Sequence, residues 1–339
     1  EGLQGTELRP RAARIGLDAT LELDPDAVDQ AIGEFVAQPF DLAQGPLWRA
    51  MAIRTGPRRV ILAWVFHHLV FDGFSREVFL KELAAVDGEL GLGLLPLRQA
   101  SAWQASDVAV WERAQAGPMR IATARKWWAA HLAEGVVAAL PPVLEQSGGS
   151  GSGGLAFDIP LEVARAMRRQ AREAGIPVAA FAIAAVARVL GAVTGQKTIL
   201  IATPVMNRDH PQAAGTIGYL SRILPLVIPT CEANAEIIGR QLLTANDHRH
   251  LPGAELAALV GLPMDRLLVA WQERSQLPAL QGRPMRLRHV ARVRADFELS
   301  VQFESEGEAL SCRIDWADGT LGATSAPGFA SLLQAALEG

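Results

Sequence analysis

The stretch Val60-Ile61-Leu62-Ala63-Trp64-Val65-Phe66-His67-His68-Leu69-Val70-Phe71-Asp72-Gly73 decides how the rest of the chain is read. Its first seven residues are uninterrupted apolar, rich in β-branched and aromatic side chains, and preceded by the turn-forming Gly56-Pro57. That combination predicts a strand buried on both faces. Two histidines close it. Side chains alternate across a strand, so His67 and His68 are expected to point to opposite sides, and only one of them can face a given cavity. Asp72 lies four residues past His68, and Gly73 permits a backbone turn that a Cβ would resist. Ser75 is then placed to cap a helix whose apolar positions Val78, Phe79, Leu83 and Val86 recur at helical spacing. Taken singly these are ordinary features. A histidine at a strand end is more often packed or solvated than catalytic, so the remainder of the chain has to agree.

Composition removes several classes of function. The 339 residues are half apolar, enough for two packed lobes or domains. Net charge is 32 minus 36, or −4, with no basic tract and no interleaving of aromatic and basic residues. Nucleic acid is therefore not an expected partner. The two cysteines, Cys231 and Cys312, stand in neither a CxxC nor a Cys/His ligand spacing, which disfavours a disulfide framework or zinc site and fits a cytoplasmic location. Glu1-Gly2-Leu3-Gln4 does not open a signal peptide, and the longest apolar run, 178 to 193, is broken by Arg188 and short for a membrane span. It is read as a buried helix, with no membrane partner. His248-x-His250 has same-face strand spacing but no third ligand, so it is read as a solvated loop rather than a metal site. Gly91-Leu92-Gly93 lacks the third glycine of a dinucleotide loop, and no intrinsic cofactor is expected.

Upstream of the opening stretch, a helix is expected after Pro25, with Val28, Ile32 and Val36 on one face. Pro39-Phe40-Asp41-Leu42-Ala43-Gln44-Gly45-Pro46-Leu47-Trp48-Arg49 then leads into a strand over 50–54. Downstream come Ser101-Ala102-Trp103-Gln104-Ala105-Ser106-Asp107-Val108-Ala109-Val110-Trp111 and Lys126-Trp127-Trp128, whose tryptophans are expected to be packing anchors. The tract 147–154, Ser-Gly-Gly-Ser-Gly-Ser-Gly-Gly, offers no side chain to a core and reads as a flexible tether, either an engineered linker replacing a mobile loop or a natural low-complexity loop. Beyond it, 155–159 reads as a strand, 161–174 as an amphipathic helix, 178–193 as the buried helix and 197–204 as another strand. Two alternating strands, 296–301 and 310–316, precede a last helix near 329–337.

His-His-x-x-x-Asp-Gly at a strand end resembles the signature of the condensation domains of nonribosomal peptide synthetases, whose wider relatives include chloramphenicol acetyltransferase and other coenzyme A-dependent acyltransferases. The other segments resemble the same family in its order. Phe40 to Arg49 is similar to its Phe-Asp-Leu-x-x-Gly-Pro-Leu-x-Arg element, Ser101 to Trp111 to its Tyr-x-Asp-x-x-x-Trp segment, and Lys126-Trp127-Trp128 to its Tyr-Trp helix start. Thr203-Pro204-Val205-Met206-Asn207-Arg208 resembles Thr-Pro-Val-x-Asn-Arg, and Ile217 to Leu226 resembles Ile-Gly-x-Phe-Val-Asn-Thr-Leu-Pro-Leu-Arg. There the chain departs from the pattern, with Ser221 and Arg222 in place of the usual Asn-Thr pair and Val227 in place of the last Arg. The family's opening Ser-x-Ala-Gln helix and Arg-His-Glu-x-Leu-Arg segment do not occur either. A shortened chain, a natural variant, or a second polypeptide supplying that part would each account for it.

The resemblance implies an α/β protein of two chloramphenicol acetyltransferase-like lobes, each an α+β two-layer sandwich, with a tunnel at their interface and the first lobe apparently incomplete at its N-terminus. The lobes are expected at 1–146 and 155–339, joined by 147–154. It implies amide or ester formation between a donor thioester and an acceptor amine or hydroxyl, both on the phosphopantetheine arms of donor and acceptor carrier protein domains from adjacent synthetase modules. His68 carries over as base or orienter, His67 as packing, and Gly73 for its backbone. Asp72 carries over as a structural acid, for which Arg208 is the candidate ion-pair partner. Asn207, Ser221 and Arg222 are the candidate tunnel residues. A relative using free acyl-coenzyme A, and a non-catalytic recruitment domain of the same fold, remain as other readings.

Overall fold

The computed structural model describes residues 19–22, 27–57, 59–94, 103–133, 152–261, 263–288, 297–321 and 325–338. The first eighteen residues, Ser101-Ala102, 147–151 of the Gly/Ser tract, and Asp296 lie outside them. The chain divides into two compact units: 1–111 with 208–220 and 277–293, and 112–207 with 221–276 and 294–339.

The chain runs Ala19–Glu22 (β1), Val28–Ala37 (α1), Trp48–Gly56 (β2), Arg59–Phe66 (β3), Gly73–Gly91 (α2), Ala105–Ala116 (α3) and Pro118–Ala133 (α4). It continues Gly153–Ile159 (β4), Leu161–Ala174 (α5), Ala179–Thr194 (α6), Thr198–Val205 (β5), Arg222–Pro229 (β6), Ala235–Asp247 (α7) and Gly253–Val260 (α8). Last come Leu267–Arg274 (β7), the short pair Ala279–Leu280 (β8) and Arg283–Pro284 (β9), Leu299–Glu306 (β10), Ala309–Trp316 (β11) and Ala326–Glu338 (α9).

In the first unit β2 lies between a parallel β1 and an antiparallel β3. Ile61, Ala63 and Val65 of β3 join Met51 and Ile53 of β2 against Val28, Ile32 and Phe35 of α1. The opposite set on β3 packs elsewhere: Trp64 and Phe66 meet the Phe79 ring of α2 at 5.3 and 5.5 Å. The strand is thus covered on both faces, as its composition predicts, but no residue of it is fully buried and Val60 is 47% exposed. Its place at the edge of the described sheet explains the difference, since burial from the strand plane needs a neighbour on each side. Arg49 of β2 closes the C-terminus of α1. Its guanidinium donates to the carbonyls of Phe35, Val36 and Gln38, and its Cζ lies 4.2 Å from the Phe40 ring centre. Exposed helix-end carbonyls are satisfied by the cation that the dipole favours there.

The second unit is built on a six-stranded sheet in the order β4-β11-β10-β7-β5-β6, with β10 and β5 parallel to β7 and the other pairs antiparallel. Helix α6 is the run read as buried: Ala180, Ala182–Ala187, Val189 and Leu190 are all inside, in one core with Ile201, Leu226, Phe303 and Ile314. No single helix among the described residues is long and apolar enough to cross a membrane. Two expectations shift. Lys126-Trp127-Trp128 lies well inside α4 rather than at a helix start, and Trp128 is fully buried with its indole N–H donating to the His248 carbonyl at 2.9 Å. That anchor lies within the second unit, to which α4 belongs. The end of the Gly/Ser tract is also more than a tether. Gly153 and Gly154 open β4 opposite Trp316 and Asp315 of β11, and a Cβ at Gly153 would run into the Trp316 ring.

Candidate active site

The chain leaves β3 at Phe66, and His67 is extended at φ −72° and ψ 137°, its backbone N–H donating to the Leu47 carbonyl at 2.9 Å. His68–Val70 forms one 3₁₀ turn. The backbone turns between the two histidines, so strand alternation does not apply to them, and their rings meet different neighbours, Phe40 for His67 and Tyr219 for His68. Their hydrogen bonds also fix opposite tautomers. His67 Nδ1 accepts from the Leu69 N–H at 3.2 Å, which leaves its proton on Nε2, and the ring stands edge-on to Phe40. His68 Nδ1 lies 2.7 Å from the Phe71 carbonyl oxygen. A carbonyl only accepts, so Nδ1–H donates and the lone pair of neutral His68 is on Nε2. The His68 side chain is exposed, and its ring meets that of Tyr219 edge-to-face at 4.9 Å.

Asp72 is both the N-cap of α2 and one half of a buried ion pair. Its Oδ1 accepts from the Ser75 N–H at 2.8 Å and from Arg208 Nη2 at 3.1 Å, while Oδ2 accepts from Arg208 Nη1 at 2.9 Å and from the Leu220 N–H at 3.1 Å. Both side chains are 1% exposed. Burial alone would push the Asp72 carboxyl up, but the hydrogen bonds and charge of Arg208, with those of Ser75, outweigh it and hold the pKa at about 2. Ser75 is not the cap. It sits in the first turn, fully buried, where its hydroxyl lies 2.8 Å from Asp72 Oδ1 and 2.9 Å from the Gly218 carbonyl, and accepts from the Gly218 N–H at 3.0 Å. Gly73 is the first residue of α2 and is not among the residues with positive φ, so the turn there does not require a glycine.

Residues 208–220 are pinned to this frame from three sides. Arg208 donates to the Thr216 carbonyl at 3.1 Å and lies over the Phe74 ring at 4.6 Å. Thr216 Oγ1 donates to the Trp103 carbonyl at 2.9 Å, and the His210 ring stacks on Trp103 at 4.1 Å with Trp111 at 5.3 Å. At Gly218 a Cβ would come within 2.9 Å of the Ala105 Cβ, so the close approach calls for glycine. Sequence reasoning paired Asp72 with Arg208, gave Ser75 the role of cap, and missed Tyr219. Nothing in local spacing marks the contacts that Ser75 and Tyr219 make, because Ser75 meets Gly218 at a separation of 143 residues and Tyr219 meets His68 at 219 minus 68, or 151.

The candidate tunnel residues group differently. Asn207 is buried in the second unit with its amide donating to Glu112, and Arg222 reaches the same carboxylate at 3.3 Å. Ser221 is half-buried. Counted back from Leu224-Pro225-Leu226, Arg222 takes the place of the motif's Asn and Ser221 that of the Val before it. His250 corrects the reading of His248-x-His250 as a solvated loop, for it is 7% exposed.

A family model described as "Condensation domain" matches residues 14–338. Malpinin synthetase of Mortierella alpina is 28% identical over 302 residues, which is 82% of this chain and 4% of that protein, so the chain spans a small part of the length of such relatives. Among solved structures, the condensation domain of the Monacolin K polyketide synthase MokA aligns with a TM-score of 0.74 and 15% identity, over 94% of this chain and 78% of that one. The X-domain from teicoplanin biosynthesis, solved in complex with OxyB, aligns with a TM-score of 0.70 and 20% identity over 94% of this chain and 75% of that one. With the family's motif residues in their order and its fold in place, the chain belongs to the condensation-domain family.

Proposed function

We propose that this domain joins a donor acyl or peptidyl thioester to an acceptor amine, or to a hydroxyl, with both substrates on the phosphopantetheine arms of carrier domains in adjacent synthetase modules. The observation that carries this reading is His68, with Nδ1–H fixed on the Phe71 carbonyl, Nε2 left as the basic nitrogen, and the side chain exposed. In the step, the acceptor nitrogen attacks the thioester carbonyl carbon, the C–N bond forms and the C–S bond breaks. The amine proton passes to His68 Nε2 and from there to the departing thiolate. An α-amine with a pKa of about 7.7–8.0 is already partly neutral near pH 7, so holding it in line contributes alongside proton transfer. A hydroxyl acceptor depends more on the base. Asp72 and Arg208 touch no substrate in this scheme. They hold the 3₁₀ turn and the start of α2 so that His68 keeps one orientation. The transfer is redox-neutral and the arm belongs to the carrier, so the chemistry calls for no cofactor of the domain's own.

The test is mass spectrometry of donor and acceptor carrier proteins, loaded and mixed with the domain. The acyl mass should leave the donor carrier and appear on the acceptor carrier. An acyl-coenzyme A donor working as well as the loaded carrier would move the assignment to the coenzyme A-dependent relatives.

A further inference from the structure

The second unit holds a buried polar cluster that the proposed chemistry leaves unused. Arg249 is 6% exposed, its Nε reaching Asn207 Oδ1 at 3.3 Å and its Nη1 donating to the Asn246 carbonyl at 2.7 Å. Glu112 accepts from Asn207 and from Arg222 Nη2, the latter at 3.3 and 3.4 Å. His250 is 7% exposed, and its Nε2 has no hydrogen-bond partner among the described residues. The same is true of the buried Nε of Arg222. The charged groups that bear on His250 are Arg120, which is exposed, Arg249, Arg222 and Glu112. Burial and then the three arginines hold His250 down at about 4, so the ring is neutral at pH 7 and free to present an N–H donor at Nε2. Buried donors left without a partner are costly, and a small anion that accepts from these two nitrogens relieves that cost.

We infer that Arg222, Arg249 and His250 form a subsite for a small oxyanion, the carboxylate of an acidic acyl or aminoacyl substrate. Two sources of oxyanion are open to such a domain, a substrate carboxylate and the phosphate of the carrier's arm. The arm is common to every carrier, whereas Arg222 stands where the family motif has Asn. A site made by a departure from the shared pattern suits the part of the substrate that varies. Planar guanidinium groups also pair in a bidentate way with a carboxylate. The inference rests on the acyl-transfer reading for the word substrate, but the binding itself does not.

The experiment titrates the full chain with propionate, and separately with inorganic phosphate, against chloride at constant ionic strength. The readout is the His250 ring resonance, assigned through its loss in His250→Gln. A saturable shift with propionate is expected, with binding at least about tenfold weaker in Arg222→Asn, the size of one charge-assisted hydrogen bond. Arg222 is only partly buried, so this variant should fold. Glu112→Gln should bind propionate more tightly, because it removes a competing carboxylate, an outcome that a purely structural cluster would not give. No saturable shift with either anion, or equal affinity in the Arg222→Asn variant, overturns the site. Tighter binding of phosphate than of propionate overturns the carboxylate assignment. If propionate binds as expected while loaded carriers show no transfer, the acyl-transfer reading fails and the anion site stands.

Discussion

Two ionic clusters, one in each unit, both join arginine to a carboxylate and end in different states. Asp72 and Arg208 match one carboxylate to one guanidinium, with bonds to Ser75 and Leu220 as well, and Arg208 Nε is the one nitrogen of that guanidinium without a partner among the described residues. Around His250, Arg222 and Asn207 share the Glu112 carboxylate, and the Nε2 of His250 and the Nε of Arg222 have no partner among the described residues. A matched pair fixes a backbone. A cluster that leaves a buried imidazole nitrogen unpaired has a place for a ligand, which is why the first is assigned to holding His68 and the second to binding.

The largest expected effect breaks the matched pair. Arg208→Ala strands a buried carboxylate, for which the expected loss is about 3–5 kcal/mol of stability in denaturant unfolding. Asp72→Ala should lose a similar amount, and the double variant much less than the sum. Additive losses would mean that the two side chains do not act as a pair. The Arg222–Glu112 pair, with side chains 28% and 15% exposed, should couple by no more than about 1 kcal/mol in the same cycle. Coupling as strong as that of Asp72 and Arg208 would erase the contrast.

Acid separates the clusters by pH window. Asp72 has its folded pKa lowered from 3.8 to about 2, so its contribution is full above the unfolded value and is lost as pH falls from about 4 towards 2. His250 is lowered from 6.5 to about 4, so its contribution is full above 6.5 and is lost as pH falls towards 4. Stability measured against pH should therefore flatten in the upper window for His250→Gln and in the lower window for Asp72→Asn. A His250→Gln profile that follows the wild type between pH 6.5 and 4 would show that the ring is not held neutral. The smallest effect is expected at Tyr219, whose ring meets His68 by its edge. Tyr219→Phe keeps that contact and should change turnover by less than about threefold, within the range of a single aromatic contact. A larger loss would give its hydroxyl a part in the reaction.

Much of this frame was legible in the sequence because it is local. The amphipathic period of 161–174 and the apolar run of 178–193 return as α5 and α6 within a residue or two, since helical burial leaves its mark every third or fourth position. Asp72 and Arg208 were pairable from the motif order. What local pattern could not carry was depth and partnership. The β3 run reads the same whether the strand lies in the middle of a sheet or at its edge, and Val60 and Leu62 turn out exposed. His250 looked solvated because nothing in His248-Arg249-His250 shows that Glu112 and Arg222 come near it. Gly153 and Gly154 read as tether because glycine leaves no apolar trace, although Trp316 takes up the space at Gly153 and Asp315 that at Gly154.

The account turns on His68 as the group that receives the acceptor's proton or aligns its nitrogen through Nε2. Turnover of loaded donor and acceptor carriers by wild type, His68→Ala and His67→Ala, each normalised to folded protein, tests it directly. Transfer should fall by about 10²–10⁴-fold in His68→Ala, the span of general base catalysis. His67→Ala, which removes the ring that accepts from Leu69, should lose stability and keep most of its turnover. Transfer at the wild-type rate by a folded His68→Ala variant, or equal large losses in both, would contradict the assignment.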